Sequence, residues 1–402
     1  MKRALLIFVL GLSASALADD AQDPDALQRA LEPADDLTAL PAPRGTPLLD
    51  VLYGIDVYGS LTVGYTANLA GVSGRAHNRF RLSDQDANAF SIPFARVGVR
   101  RVLSGYEEWD LGFGLELAAG HMVPDAFGDD GLFERSALNV PQAYIDLQLP
   151  TPLPVRVRAG RMYLPFGVES VDPAENPHFS HSFLETYMPR TVTGVSLGVD
   201  LSETLSYTQY VVNGWDQVVD ENSAKTFAGQ LAWRPSASAL FTLDWIAGAE
   251  REDSNSDARW ALQAGVRWQA RRDVELRAAV LYGEENFTSP VPQLVGDVDA
   301  AFGGFTVSLK KSFLYDEVEG FHHLSFAVRG SCFEDEHGAR TGLDQSLGEV
   351  TATLELRPIE AAAIRVEYRR DFSSRGDAFL GGRGELSRDA QDTLSFSVSA
   401  QF

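Results

Sequence analysis

From residue 52 to the end of the chain, apolar and polar side chains alternate with a period of two. That is the spacing of a β-strand with one face on an apolar medium and the other on a polar one. The final stretch shows it most plainly: Leu394, Phe396, Val398, Ala400 and Phe402 share one face, and Ser395, Ser397, Ser399 and Gln401 the other. About sixteen segments repeat the pattern, beginning with 52–66, 89–103 and 108–121 and ending with 348–357, 361–371 and 391–402. Their connections alternate in length. Ser104-Gly105-Tyr106, Pro150 to Pro152, Ser202-Glu203 and Arg271-Arg272 are short, whereas 67–88, 122–139, 165–191, 214–224, 284–298, 333–347 and 372–390 are long. All the long connections therefore fall at one end of the strands. A chain that finishes on a strand must pair that edge, most economically with its own first strand. The pattern predicts an all-β fold, a closed antiparallel barrel over 51–402; counts from about fourteen to eighteen strands fit, because a phase change near Gly303-Gly304 leaves 298–324 open.

The two faces differ in kind. Opposite the apolar rows stand Arg96, Arg100, Glu116, Asp146, Arg156, Arg158, Asp244, Arg267, Glu275, Arg277, Arg329, Glu355, Arg365, Glu367 and Arg369. Burying so many ions in a dry core costs roughly several kcal/mol each unless every one is paired. A water-filled interior removes that cost, and hydrocarbon against the alternate rows completes the picture, so the pattern implies a membrane barrel with a wet lumen open to small polar solutes. With Arg234 and Arg357 included, the inward face is more basic than acidic. The favoured reading is a wall stiffened by ion pairs such as Glu355 beside Arg365, with a lean toward anions if the basic groups form a constriction. Trp109, Trp233, Trp260 and Trp268 bracket the apolar rows, as expected of an aromatic girdle at the membrane interfaces.

Composition adds less than charge. An apolar content of 45% suits a soluble protein as well as a barrel. The formal net charge of -22 excludes a nucleic-acid partner. Residues 1–18 read as a secretory signal, with Lys2 and Arg3 ahead of an apolar run and small residues ending at Ala18. Residues 19–50 form an acidic, proline-bearing leader, expected to be disordered in the periplasm. No later run approaches the roughly 18 apolar residues of a spanning helix, so any span is made of strands. Cys332 is the single cysteine and forms no internal disulfide.

The connection 165–191 is the candidate for function, since long connections within barrels usually carry one. Folded inward it would narrow the lumen and set Glu169, Asp172 and Glu175 against the basic wall. His178 and His181 invite a metal reading, but no third ligand is defined, so none is assigned, and no cofactor is expected. Ser180 and Ser182 beside histidine suggest a hydrolase, yet neither a strained nucleophile turn nor a paired acid accompanies them, and no enzymatic activity is expected. The pore and constriction candidates are Arg96, Arg156, Arg158, Arg161, Arg267, Arg277, Arg365 and Arg369 against Glu169, Asp172 and Glu175. Strict alternation points Arg161 outward, so a bulge near Gly160 is expected to turn it in; Pro93-Phe94 is expected to shift phase likewise.

The terminal strand, with Phe396, Val398 and Phe402, resembles the closing strand of bacterial outer-membrane proteins, where the last aromatic is read by the barrel-assembly machinery. Ala143-Tyr144-Ile145, Val157-Arg158-Ala159-Gly160-Arg161-Met162-Tyr163-Leu164-Pro165-Phe166-Gly167-Val168-Glu169, Thr193-Gly194-Val195 and Val212-Asn213-Gly214-Trp215-Asp216 resemble in order the OmpL-like family of β-barrel porins. Gly160 to Glu169 is also similar to phosphate-selective porins, although their dense lysine ladder is missing. The resemblance implies an outer-membrane porin of the Gram-negative type, passing small hydrophilic solutes by passive diffusion, with outer-membrane lipid around it. The alternatives are a barrel plugged by its own loops that serves as a surface anchor or binding protein, an embedded hydrolase, and a secreted β-sandwich. Solute identity and oligomeric state stay open.

Overall fold

The computed structural model describes residues 54–72, 76–103, 109–128, 137–220, 222–251, 254–288, 297–316 and 320–402; the expected signal 1–18 and leader 19–50 lie outside them. The wall is built from β1 (Ile55–Asn68), β2 (Ala89–Arg101), β3 (Asp110–Ala119), β4 (Leu138–Leu149), β5 (Val155–Tyr163), β6 (Thr191–Asp200), β7 (Leu205–Val212) and β8 (Thr226–Ser236). It continues with β9 (Ala239–Arg251), β10 (Ser254–Arg271), β11 (Val274–Thr288), β12 (Asp297–Asp316), β13 (Phe321–Asp335), β14 (Gln345–Ile359), β15 (Ala362–Ser373) and β16 (Ala390–Gln401). Each strand pairs antiparallel with the next, and β16 returns to β1, so the barrel closes.

Closure rests on the terminal strand. Gly59 and Phe402 exchange both backbone hydrogen bonds at 3.0 Å, and the register runs from Ser60 opposite Gln401 to Asn68 opposite Thr393. Inside, Thr62 and Thr66 hydroxyls meet those of Ser399 and Ser395 at 3.0 and 2.9 Å. Outside, Leu394, Phe396, Val398 and Phe402 are each 40–46% exposed. The same apolar exposure recurs around the wall, at Leu115, Ile145, Leu197, Leu243, Leu309 and Val366. A continuous band of this kind is stable against hydrocarbon and not against water.

Two prolines mark register shifts. Thr62 faces Phe94 while Gly64 faces Ser91, which leaves an extra residue in β2 at Ile92-Pro93, and Phe94 becomes a fully buried inward residue. Glu116 faces Gln142 while Ala118 faces Asn139, an extra residue at Val140-Pro141. Proline has no N–H to give the ladder, so a bulge is where it fits. The phase change expected at Gly303-Gly304 does not occur: β12 pairs through it without a shift, and Ala300, Phe302, Thr306 and Ser308 all stay inward and buried. The connection expected over 284–298 is shorter than that, because β11 runs to Thr288 and β12 starts at Asp297. β12 holds 20 residues, about 66 Å of strand at about 3.3 Å per residue, roughly twice a hydrocarbon layer of about 30 Å.

Candidate functional site

The third long connection, 164–190, leaves β5 and folds into the barrel. Local capping gives it shape. Asp172 caps the 3₁₀ turn Pro173–Glu175 by accepting from Ala174 N at 2.9 Å, and Ser182 caps the short helix Phe183–Thr186 by accepting from Glu185 N at 3.2 Å. Asn176 clamps Ser170 on both sides, accepting from its N–H at 2.8 Å and donating to its carbonyl at 2.7 Å. Gly64 makes room for the loop: a methyl there would sit 2.5 Å from Phe179 Cζ.

Ionic contacts dock the loop on β13–β15 and β2. Arg329 pairs with Glu349 at 2.6 Å and with Glu169 at 3.2 Å, and donates to Ser180 O at 2.6 Å. Arg369 pairs with Asp371 at 2.7 Å and Glu349 at 3.2 Å and donates to His181 O at 2.5 Å. Arg365 pairs with Glu355 at 2.7 Å and reaches Ala174 O at 3.2 Å. Glu367 accepts the backbone N–H groups of Phe179 and Ser180 at 2.7 and 3.1 Å. From the other side Arg96 holds Asp172 at 3.0 Å and also binds Glu175. Arg81, in the first long connection, meets Asp371 at 2.6 Å and also binds Asp84. Compensated in this way, buried charges become tolerable. In the loop, burial pushes the Glu185 carboxyl up to about 8 against the pull of Arg190, and burial helped by Arg190 pushes His181 down to about 3.

The upper lumen is filled with apolar side chains. Leu164, Phe166, Val168, Phe183, Leu184 and Met188 of the loop pack on inward Val192, Val212, Ile246, Leu281, Phe302, Phe333 and Leu347. Phe94, Ala118, Met122, Val123, Phe127 and Val171 make a second cluster on the β2–β3 side. The lumen is therefore not wet throughout, as the ionic wall alone implied. Strand parity identifies the wall and says nothing of the apolar surface that a connection brings to it.

A cavity of about 140 Å³ remains between the loop and the wall of β1, β2, β8, β9 and β10. Arg96, Arg100, Arg190, Arg234 and Arg267 line it, with Glu169, Glu175 and Glu185 as the carboxylates. Two of those carboxylates are already engaged, Glu169 by Arg329 and Glu175 by Arg96. Arg267 donates to Val168 O at 3.1 Å and Gly167 O at 3.3 Å; neither it nor Arg234 has a salt-bridge partner among the described residues.

The expected pore residues thus divide. Arg96, Arg267, Glu169 and Glu175 meet at the cavity. Arg365 and Arg369 are fully buried beneath the loop and face protein, not a passage, because the loop lies on β15. Arg277 pairs with Glu275 and reaches Asn176 Oδ1 at 3.4 Å. Arg158 is held by Asp146 at 2.6 and 2.8 Å and stacks 3.9 Å from the centroid of the Tyr144 ring, which lines the cavity, while Arg158 itself does not; Arg156 is half-buried beside it. Arg161 is buried as expected, though not by a bulge. Pairing on both sides runs through Gly160 unshifted, and Gly160 adopts φ +133° while Asn139 Oδ1 at 2.7 Å and Phe127 O at 2.8 Å take the guanidinium. Trp109 and Trp233 are exposed outward near the short-turn end, and Trp260 and Trp268 are half-buried on the same outer face. His178 bonds Thr353 and Ser308 at 2.7 and 3.0 Å, and among the described residues no three His, Cys, Asp or Glu side chains gather to hold a metal. Arg81 and Glu349 escaped the sequence reading; no periodicity marks a side chain in a connection, and Glu349 lies where a strand end was expected.

A model of the family described as "Putative beta-barrel porin-2, OmpL-like" matches residues 54–402. Solved structures similar to the chain include an anion-selective porin from Comamonas acidovorans, with TM-score 0.58, 10% identity and 87% of this chain and 99% of that chain covered. Others are the outer membrane channel DcaP of Acinetobacter baumannii (0.57, 11%, 87% and 98%) and Salmonella typhi OmpF in complex with daunomycin (0.56, 15%, 87% and 97%). Identities this low establish a shared fold. Among curated proteins no sequence match is found. With its closed wall of 16 strands, its apolar outer band and a family match across the whole described barrel, the chain belongs to the OmpL-like β-barrel porins of the Gram-negative outer membrane.

Proposed function

We propose that the barrel passes small hydrophilic solutes by diffusion, with a preference for anions, along the side of the lumen that the loop leaves open. The observation that carries this reading is the cavity beside β1, β2 and β8–β10, whose arginines outnumber its carboxylates and whose Arg234 and Arg267 have no ion-pair partner among the described residues. Uncompensated guanidinium groups in a narrow passage attract anions and repel cations. Arg100, Arg234, Arg267 and the Arg96–Glu175 pair are the groups a solute meets. Arg156, Arg158, Arg161, Arg277, Arg365, Arg369, Glu169 and Asp172 belong to the frame that holds wall and loop in place. In planar bilayers under a salt gradient, the reversal potential of the wild-type barrel should report anion preference. Arg100→Gln with Arg234→Gln should move it toward the cation side. An unchanged reversal potential removes both residues from selectivity.

The apolar clusters across the upper lumen favour a second reading, a barrel closed by its own loop that acts as a surface anchor or binding protein. Single-channel recording separates the two, because a closed barrel gives no conductance steps.

A further inference from the structure

The cavity is not lined as a passage for hydrated ions alone. Arg234 on β8 and Arg267 on β10 flank Leu240 on β9: Leu240 pairs directly with Arg267, and Arg234 follows Trp233, whose β9 partner is Phe241. With neighbouring strands about 4.8 Å apart, their backbones stand about 10 Å from each other, a gap that two guanidinium side chains can close on one carboxylate. Neither arginine forms a salt bridge with a described residue; Glu185, Glu275 and Asp244 act on Arg267 only from further off. Beside these two arginines the lining is apolar at Leu240, Val266 and the loop residues Phe166 and Val168, while Arg96, Arg100 and Glu175 line the side toward β1 and β2. A volume of about 140 Å³ is close to the roughly 150 Å³ cavity that admits benzene in an engineered apolar site.

We propose that this pocket is a binding site for a small aromatic carboxylate, its carboxylate held between Arg234 and Arg267 and its ring seated against Leu240, Val266, Phe166 and Val168. The proposal rests on the anion-passing reading of the same cavity and narrows it to a substrate class. A hydrated inorganic anion gains only the guanidinium contacts and leaves the apolar wall wet, whereas an arene carboxylate satisfies both surfaces. Benzylammonium, of similar shape and opposite charge, would meet two arginines that lack a salt bridge.

The test is benzoate binding to the purified full-length protein in detergent, followed by calorimetry. Saturable binding at one site per chain is expected, with an equal concentration of phosphate or of benzylammonium failing to displace it. Arg234→Gln with Arg267→Gln should weaken binding at least tenfold, while Arg375→Gln, in an exposed connection, should leave it unchanged. Displacement by phosphate at equal concentration, or benzoate affinity unaltered in the double variant, overturns the site. Should the double variant fail to show the heat-modifiable migration of a folded barrel, phosphate competition on the unaltered protein decides by itself. Binding in detergent requires no open passage. A barrel that binds benzoate and does not conduct therefore keeps the site and loses the passage, and one that conducts and ignores benzoate loses only the site.

Discussion

Arg329 stands fully buried at mid-barrel between Glu349 of the next strand and Glu169 of the loop, and its charge is tolerable only because both are present. Arg329→Met should cost about 3–5 kcal/mol, since it leaves Glu169 buried without its cation and Glu349 with Arg369 alone. A fall in the urea midpoint of unfolding, read by tryptophan fluorescence, checks this; an unchanged midpoint would mean that water reaches the pair. Glu185 offers a pH test. Its carboxyl in the folded loop is raised to about 8 by burial, so the folded state holds a proton that the unfolded chain releases in the ordinary carboxylate range. The contribution to stability is fully present below that ordinary range and is lost as pH rises through about 8. Trypsin resistance of the loop should therefore decline from pH 5 to 9 in the wild type and stay flat in Glu185→Gln. Parity along the strand was enough to point Arg329 inward. Whether it would meet water or a carboxylate depended on Glu169, which lies 160 positions away in a segment without periodicity.

Strands were legible because their wall repeats one rule, apolar to one side and polar to the other, and proline announces where the rule slips. Ile92-Pro93 is the case in point: a residue that cannot donate to the ladder falls where β2 carries one residue more than β1. Strand ends were less legible. β11 and β12 project beyond any hydrocarbon layer, and above it the outward face loses the apolar signal that would mark it as strand. The loop was legible in direction only. Its acidic stretch was expected against arginine and is found there, yet its apolar half, seated on Phe302, Phe333 and Leu347, follows from three-dimensional packing of residues that share no period. Its seat on β1 is narrow, because Phe179 lies over Gly64, where even a methyl would come within 2.5 Å of the ring. Gly64→Val should lift the loop from β1 and raise single-channel conductance about twofold or more. Equal conductance in variant and wild type would show that the loop is held by its ion pairs alone.

At the scale of the whole molecule, closure is the event on which every inward contact depends, since a sheet left open at β1 and β16 has neither a lumen nor a surface for the loop to fill. The chain carries a net charge of -22, yet among the charged groups lining the cavity it encloses arginines outnumber carboxylates. The separation survives only if the wall shuts in the register that sends Thr62, Thr66, Ser395 and Ser399 inward and Leu394, Phe396 and Val398 to lipid, because a slip of one residue would exchange the two sets. Phe402 fixes that register from the last position: its backbone exchanges both hydrogen bonds with Gly59, and its ring lies so close to Gly59 that a methyl there would stand 2.6 Å from Cζ. Removing Phe402 deletes both bonds and uncovers Gly59 at the seam, where unpaired strand groups in hydrocarbon are worth several kcal/mol each, roughly. The expected outcome is a loss of folded, heat-modifiable barrel from the outer membrane with unfolded chain accumulating in its place, whereas Phe402→Tyr, which keeps ring and backbone, should assemble as the wild type does. Normal amounts of folded barrel after deletion would mean that the β1–β16 seam is set by the hydroxyl pairs of Thr62 and Thr66 without help from the terminal aromatic.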